Sequence, residues 1–214
     1  MRISIPILFF LFLTTVTAFG QTNQRTLTFH PRPLEITKNF LITEFGYDYR
    51  ITQSGSFDDA ENNNKNYHLN VDMGAMRNLS QKWALGATAY YSLDDSGSRL
   101  AIKPRLRRWL TSDQSIDLSA GPIIGNFGSY YGKSPGLAGH ISYSYRDWVM
   151  LTLGVEIIPI NTVFGVGGSN EVIVYKSTES TLYAGIRVGS YAGTACAILT
   201  PIIALIHFFA TYES

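Results

Sequence analysis

The feature that most limits what this chain can fold into is a hydrophobic period of two, repeated in eight segments between Phe40 and Gly189. Strict alternation marks a strand whose two faces meet different surroundings, whereas an amphipathic helix repeats every 3.6 residues. In the first segment Phe45, Tyr47, Tyr49 and Ile51 alternate with Glu44, Gly46, Asp48 and Arg50. The second sets Tyr67, Leu69, Val71, Met73 and Ala75 against His68, Asn70, Asp72 and Gly74; the third sets Trp83, Leu85, Ala87 and Ala89 against Gly86 and Thr88. In the fourth, Leu100, Ile102 and Leu106 oppose Lys103, Arg105 and Arg107, and in the fifth Ile116, Leu118 and Ala120 oppose Asp117, Ser119 and Gly121. The sixth sets Leu137, Ile141 and Tyr143 against His140, Ser142 and Ser144. The seventh sets Val149, Leu151, Leu153, Val155 and Ile157 against Thr152, Gly154 and Glu156, and the eighth Leu182, Ala184, Ile186 and Val188 against Tyr183, Gly185 and Arg187.

The connections carry a second signal. Asn78–Lys82, Thr111–Asp113 and Tyr145–Asp147 are short, while Ser54–Lys65, Asn126–Pro135 and Asn161–Thr178 are long and polar or Gly-rich. Short turns on one rim and longer loops on the other are the pattern of membrane barrels, and each segment is near the ~9–11 residues that a tilted strand needs to cross a bilayer. The expected fold is therefore all-β: an eight-stranded antiparallel up-and-down transmembrane β-barrel, with both chain ends on the short-turn, periplasmic rim. Register offers a check, because a slip of one residue exchanges the faces. A turn over Tyr145–Asp147 pairs Ile141 with Leu151 and Tyr143 with Val149, keeping apolar residues together, and Asp147 tolerates the left-handed conformation such turns favour. Gly46, Gly74, Gly86, Gly121, Gly154 and Gly185 share the polar face and only Gly139 the apolar one, which suits a crowded, strongly curved inner surface. The alternative is a soluble barrel or sandwich with the apolar face turned inward.

Composition fits strands with one lipid face. The chain is 15% charged against about 25% in ordinary soluble domains, and 13% aromatic. Its mean hydropathy of +0.04 is too low for a bundle of membrane helices. A net charge of +1 gives no electrostatic case for a nucleic-acid partner. The single cysteine, Cys196, excludes an internal disulfide and Cys-based metal sites, and reads as a small apolar residue. Residues 1–20 read as a signal peptide: Arg2, an apolar run Ile3–Leu13, then Ala18-Phe19-Gly20 before Gln21. A retained anchor is the competing reading, though the apolar run is short for a span. Residues 21–39 form an irregular periplasmic lead-in with Pro31 and Pro33, and Thr26–Phe29 is a possible extra strand.

The rhythm of residues 40–189, with phrases such as Gly136-Leu137-Ala138-Gly139-His140-Ile141-Ser142-Tyr143 and Leu182-Tyr183-Ala184-Gly185-Ile186-Arg187, resembles small outer-membrane β-barrels of the OmpA/OmpX type. It looks most like the short outer-membrane β-barrel sequences of Bacteroidetes-like bacteria. The resemblance implies an outer-membrane location reached by secretion, with outer-membrane lipid and the barrel-insertion machinery as partners. It names no surface ligand. One departure is the apolar tail, residues 190–214, where such barrels close on a terminal aromatic. The expected form of this tail is a helix packed beside or beneath the barrel; an extra strand pair making ten strands and a membrane helix are the alternatives. Pro201 would break or kink any of them.

Asp48, Arg50, Asp72, Lys103, Arg105, Arg107, Asp117, Glu156 and Arg187 share the inner face. Charges facing a narrow lumen must pair, since isolated buried charge is costly. A salt-bridged plug is expected; a gated ion or solute path is the sharper alternative. His140, Ser142 and Glu156 lie on neighbouring strands and the same face, the residue types of an acyl-transfer site, and are weak catalytic candidates against hydrogen-bonded filling. Trp83, Trp109 and Trp148 flank short turns, where an interfacial aromatic belt belongs, although Trp109 and Trp148 fall on the inner parity. No phosphate loop, glycosidase carboxylate pair or metal-ligand spacing is visible, so neither cofactor nor metal is expected. The reading that follows is a non-enzymatic outer-membrane barrel with an envelope-structural or surface-interaction role, acting through its long loops. A lipid-modifying enzyme and a small-ligand or solute carrier are the alternatives.

Overall fold

The computed structural model describes residues 31–33, 38–54, 67–94, 97–127, 135–165 and 172–196. Residues 1–20, expected to be a signal peptide, most of the expected lead-in with Thr26–Phe29, residues 55–66 and the tail beyond 196 lie outside them. Eight strands follow one another in chain order: β1 (Asn39–Ser54), β2 (Tyr67–Asn78), β3 (Trp83–Asp94), β4 (Gly97–Trp109), β5 (Gln114–Phe127), β6 (Gly136–Tyr145), β7 (Val149–Gly165) and β8 (Val172–Val188). Each pairs antiparallel with the next, and β8 pairs back onto β1 to close the barrel. Closure leaves a strand no unpaired backbone edge, which is why a chain of alternating strands ends in a barrel and not an open sheet.

The expected faces are the observed ones. On β4 Arg99, Ala101, Lys103, Arg105, Arg107 and Trp109 point in and are buried, while Ile102 and Leu106 point out and are exposed. Gly74 and Gly86 show how the curvature is achieved. A Cβ on Gly74 would collide with the Ala87 carbonyl, and one on Gly86 with the Ala75 carbonyl. Neighbouring backbones approach there too closely for any side chain. Gly154 has ordinary room for a Cβ, so crowding does not explain it. Pro104 and Pro122 face outward across the interval between the Ala101–Ile123 and Arg105–Ser119 pairs, where the β4–β5 ladder is interrupted. Proline has no amide proton for the ladder.

Two expectations need correction. The β6–β7 hairpin pairs Ile141 with Leu153, Tyr143 with Leu151 and Tyr145 with Val149. The three connecting residues are Arg146–Trp148, not Tyr145–Asp147. Both Arg146 (φ 54°) and Asp147 (φ 57°) are left-handed, and Trp148 N–H donates to the Tyr145 carbonyl at 3.3 Å. The partners move by two residues, so the faces survive. Second, Asn161–Thr178 is not a loop for most of its length. The β7–β8 ladder runs out to Gly165–Val172, whereas β7 leaves β6 at Ile157 and β8 leaves β1 at Ser180. The arms beyond form a two-stranded ribbon above the rim. Its β-branched runs, Ile157-Ile158 with Val163 and Val172-Ile173-Val174, favour strand.

The start of the tail, within the described residues, is helical as expected and adds no strand. Ser190 is left-handed (φ 59°), the chain turns helical over 190–196, and the barrel keeps eight strands. β1 pairs with β8 only from Phe45 upward, so its first residues lack that partner. The short helix covers them: Thr43 is buried although it points outward, and a Cβ on Gly193 would strike the Thr43 carbonyl. Among the described residues no helix is long and apolar enough to cross a membrane.

Candidate functional site: the lumen and the wall

Two apolar clusters line the interior. Near the short-turn rim Phe40, Ile42, Met76, Ala84 and Trp109 pack together; towards the opposite rim Tyr90, Ala101, Ile123, Ala138 and Ile158 do the same. Trp109 therefore faces inward, donating Nε1–H to Asn78 Oδ1 at 2.8 Å with its ring edge against Phe40. Trp83 and Trp148 are exposed, so the rim turn carries Trp148 outward despite its parity. The lead-in reaches the same mouth: Arg32 lies 3.4 Å from Asp147 and 3.3 Å from Asp113, and its carbonyl accepts from Asn78 Nδ2 at 2.6 Å.

A column of ion pairs runs through the same interior, from beside the first cluster to beyond the second. Nearest the short-turn rim, Arg107 donates to both oxygens of Asp117 at 2.7 Å and to Asp147 at 2.8 Å. The left-handed turn thus places Asp147, a residue absent from the expected network, within the lumen. Arg105 grips Glu44 with two bonds, 2.9 and 2.5 Å, and also reaches Asp117. Such two-pronged pairs are among the stronger hydrogen bonds. Above them Asp72 accepts from Arg187 at 2.5 Å, Lys103 at 3.1 Å and Thr88 at 2.9 Å. Arg187 lies 3.7 Å from Asp48, and Lys103 sits 3.6 Å from the centre of the Tyr90 ring.

Further along, Glu156 accepts from Tyr90 at 2.8 Å and lies 2.9 Å from Arg99, which donates to Asp94 at 2.7 Å. His68 bridges Asp48 (3.5 Å) and Glu156 (3.4 Å) and stacks on Tyr183 with centroids 4.2 Å apart. Arg50 is less embedded, at 3.8 Å from Asp94 and 2.9 Å from Gln53. All nine charged residues named from the sequence thus meet an oppositely charged partner. Glu44, His68, Asp94, Arg99 and Asp147 belong to the same network, and the sequence reading named none of them for it. Inner parity would have found the first four; Asp147 required the turn geometry.

The acyl-transfer arrangement is not assembled. His140 and Ser142, two residues apart on β6, stand about 7 Å apart along the strand. His140 meets Ser119 Oγ at 3.0 Å and Lys103 Nζ at 3.0 Å, while Glu156 belongs to the Tyr90–His68–Arg99 group. Ser142 Oγ and Thr152 Oγ1, on residues paired across β6–β7, find no hydrogen-bond partner among the described residues. Glu44, Asp72 and His140 offer ligand atoms within 4.8 Å of one another, a metal-like spacing. The cations of Arg105, Arg187 and Lys103 already neutralise those carboxylates, which leaves a metal ion little to gain.

The wall has the opposite chemistry. Leu85, Ile102, Leu118, Ile141, Leu151, Leu153 and Ile186 are among its exposed residues. Aromatics cluster at two heights: Trp83, Tyr143, Tyr145 and Trp148 near the short turns, and Tyr47, Tyr49, Tyr91 and Phe127 towards the other rim. Trp83 and Tyr91 are eight residues apart on β3, about 26 Å along the strand and about 20 Å in height at a usual tilt.

The molecule thus belongs to the class of closed eight-stranded up-and-down barrels, with ionic pairs inside and apolar residues outside. No protein-family model matches the sequence, and no curated protein matches it. Solved structures with a similar fold include a chain from the de novo design of transmembrane β-barrels, 14% identical, covering 70% of this chain and 93% of that one with a TM-score of 0.37. Others are the outer membrane protein OprG from Pseudomonas aeruginosa (13% identical, 76% and 98% covered, TM-score 0.36) and the outer membrane protein AlkL in DMPC lipid bilayers (9%, 78% and 93%, 0.32).

Proposed function

We propose that this protein is a non-enzymatic barrel of a bacterial outer membrane, with a closed lumen and a surface-interaction role carried by the β7–β8 ribbon. The observation that carries the reading is the contrast between wall and lumen. A continuous exposed apolar belt is far larger than soluble monomers tolerate, and hydrocarbon is the solvent that suits it. The paired column supports a structural interior over a conducting one, because a permeating ion would have to displace charges already matched. The ribbon supports a contact role: its arms pair with each other and, among the described residues, with no third strand, at the rim opposite the short turns.

The test has two parts. The membrane-extracted protein should migrate differently on a gel before and after boiling, and planar bilayers containing it should show no steady conductance. A protein extracted by alkali that shows no shift on boiling would overturn the membrane location. A stable single-channel current would overturn the closed lumen.

A further inference from the structure

We infer that the outer face of β2–β4 at the short-turn rim binds the phosphate headgroups of anionic phospholipids, an inference that rests on the membrane reading above. Arg77 on β2 and Arg108 on β4 both point outward and are exposed, one on each side of β3, and Lys82 lies in the turn below them. The register sets Arg108 directly across from Trp83, and Arg77 across from Leu85, two residues further up β3. Strands two apart are separated by about 10 Å, a gap that two arginine side chains can bridge from either side around one phosphate. Arg108 lies 5.6 Å from the exposed Trp83 ring, so an interfacial aromatic and a cation share one position.

The charge balance singles this face out. Lumen cations such as Arg105, Arg107 and Arg187 each meet a carboxylate, whereas among the described residues no ion pair engages Arg77, Lys82 or Arg108. Asp113, a carboxylate of this rim, is held by Arg32 at 3.3 Å. The opposite wall at this height carries Tyr143, Tyr145 and Trp148, with Arg146 set over the Tyr145 ring at 5.5 Å. Directly above the basic face run Leu85, Leu106 and Ala87, part of the apolar wall. Phosphate below and acyl chain above is the shape of a phospholipid. Arginine suits the position, since its stem stays apolar while its head reaches the interface.

The experiment folds the full chain into phosphatidylcholine vesicles with and without phosphatidylglycerol. Folding is read first by the boiling-dependent gel shift, and lipid selectivity then by the immobilised fraction of spin-labelled phosphatidylglycerol against spin-labelled phosphatidylcholine. Wild-type protein should prefer the anionic lipid about fivefold at low salt, and molar salt should largely erase the preference. The variant Arg77→Gln/Arg108→Gln should keep the gel shift and fall to near parity, while Arg146→Gln should keep the preference. A folded wild-type barrel without selectivity, or a double variant as selective as wild type, would overturn the surface alone. Absence of a gel shift in either vesicle would overturn the membrane reading and this surface with it.

Discussion

On β4 Arg105 is wholly buried while Leu106, the next residue, is 38% exposed; on β7 Thr152 is buried while Leu153 is 52% exposed. The same strands therefore build a lumen and a wall that reverse the arrangement of a soluble barrel. In water, burial of apolar area drives folding and charges remain outside. Here the lumen holds the charges, and they are tolerable there because they neutralise one another at hydrogen-bonding distance. The wall holds the apolar area, which is tolerable only where the solvent is itself apolar. Specificity thus resides in the lumen, where every partner is particular, and the wall can exchange one aliphatic residue for another.

Breaking one side of a lumen pair is expected to have the largest effect. Arg105→Met removes the two-pronged partner of Glu44 and one partner of Asp117, leaving Glu44 with Arg187 at 3.9 Å. Stability measured by urea unfolding from vesicles should fall by about 3–5 kcal/mol. A loss below about 1 kcal/mol would mean that the column is solvated, not matched. Leu153→Arg tests the wall in the same assay. It should cost about 2–4 kcal/mol if that side chain meets hydrocarbon, but no more than about 0.5 kcal/mol if it meets water.

Trp109→Phe probes the boundary between the two regions. It keeps the ring in the apolar cluster but removes the Trp109 hydrogen bond to the buried Asn78 oxygen, and should cost about 1 kcal/mol. In the parent protein, brominated lipid should quench Trp83 and Trp148 but not Trp109, so the fluorescence that survives quenching should disappear in this variant. The smallest effect is expected at Ser142→Ala. Its hydroxyl makes no hydrogen bond among the described residues, so stability should change by no more than about 0.5 kcal/mol, and the lipid A mass spectrum of cells carrying the variant should match that of the parent. Altered lipid A would restore the acyl-transfer reading.

The faces were legible in the sequence because a strand's period of two is local: once Leu151 and Leu153 face one way, Thr152 must face the other. The nine lumen charges were readable for the same reason. The ribbon is not legible in the sequence because Gly165, Gly167, Gly168 and the surrounding polar residues carry the composition of a loop, which outweighs the β-branched runs flanking them. Trp148 and Trp109 share an inner parity, yet only Trp109 is inside; a turn can rotate a side chain in a way that counting does not register.

The sequence by itself determined the number of strands, their order and which side chains share a face, since these follow from alternation and chain connectivity. Only the tertiary structure decided which charge meets which: that Arg105 takes Glu44 from across the barrel, that Asp147 enters through a left-handed turn, and that His140 finds Ser119 instead of Ser142. Those partners are set by the closure of β8 onto β1 and the register around the ring. Coulombic and hydrogen-bond energies change over a few ångströms, a distance that one ladder shift of two residues exceeds while leaving every face unchanged.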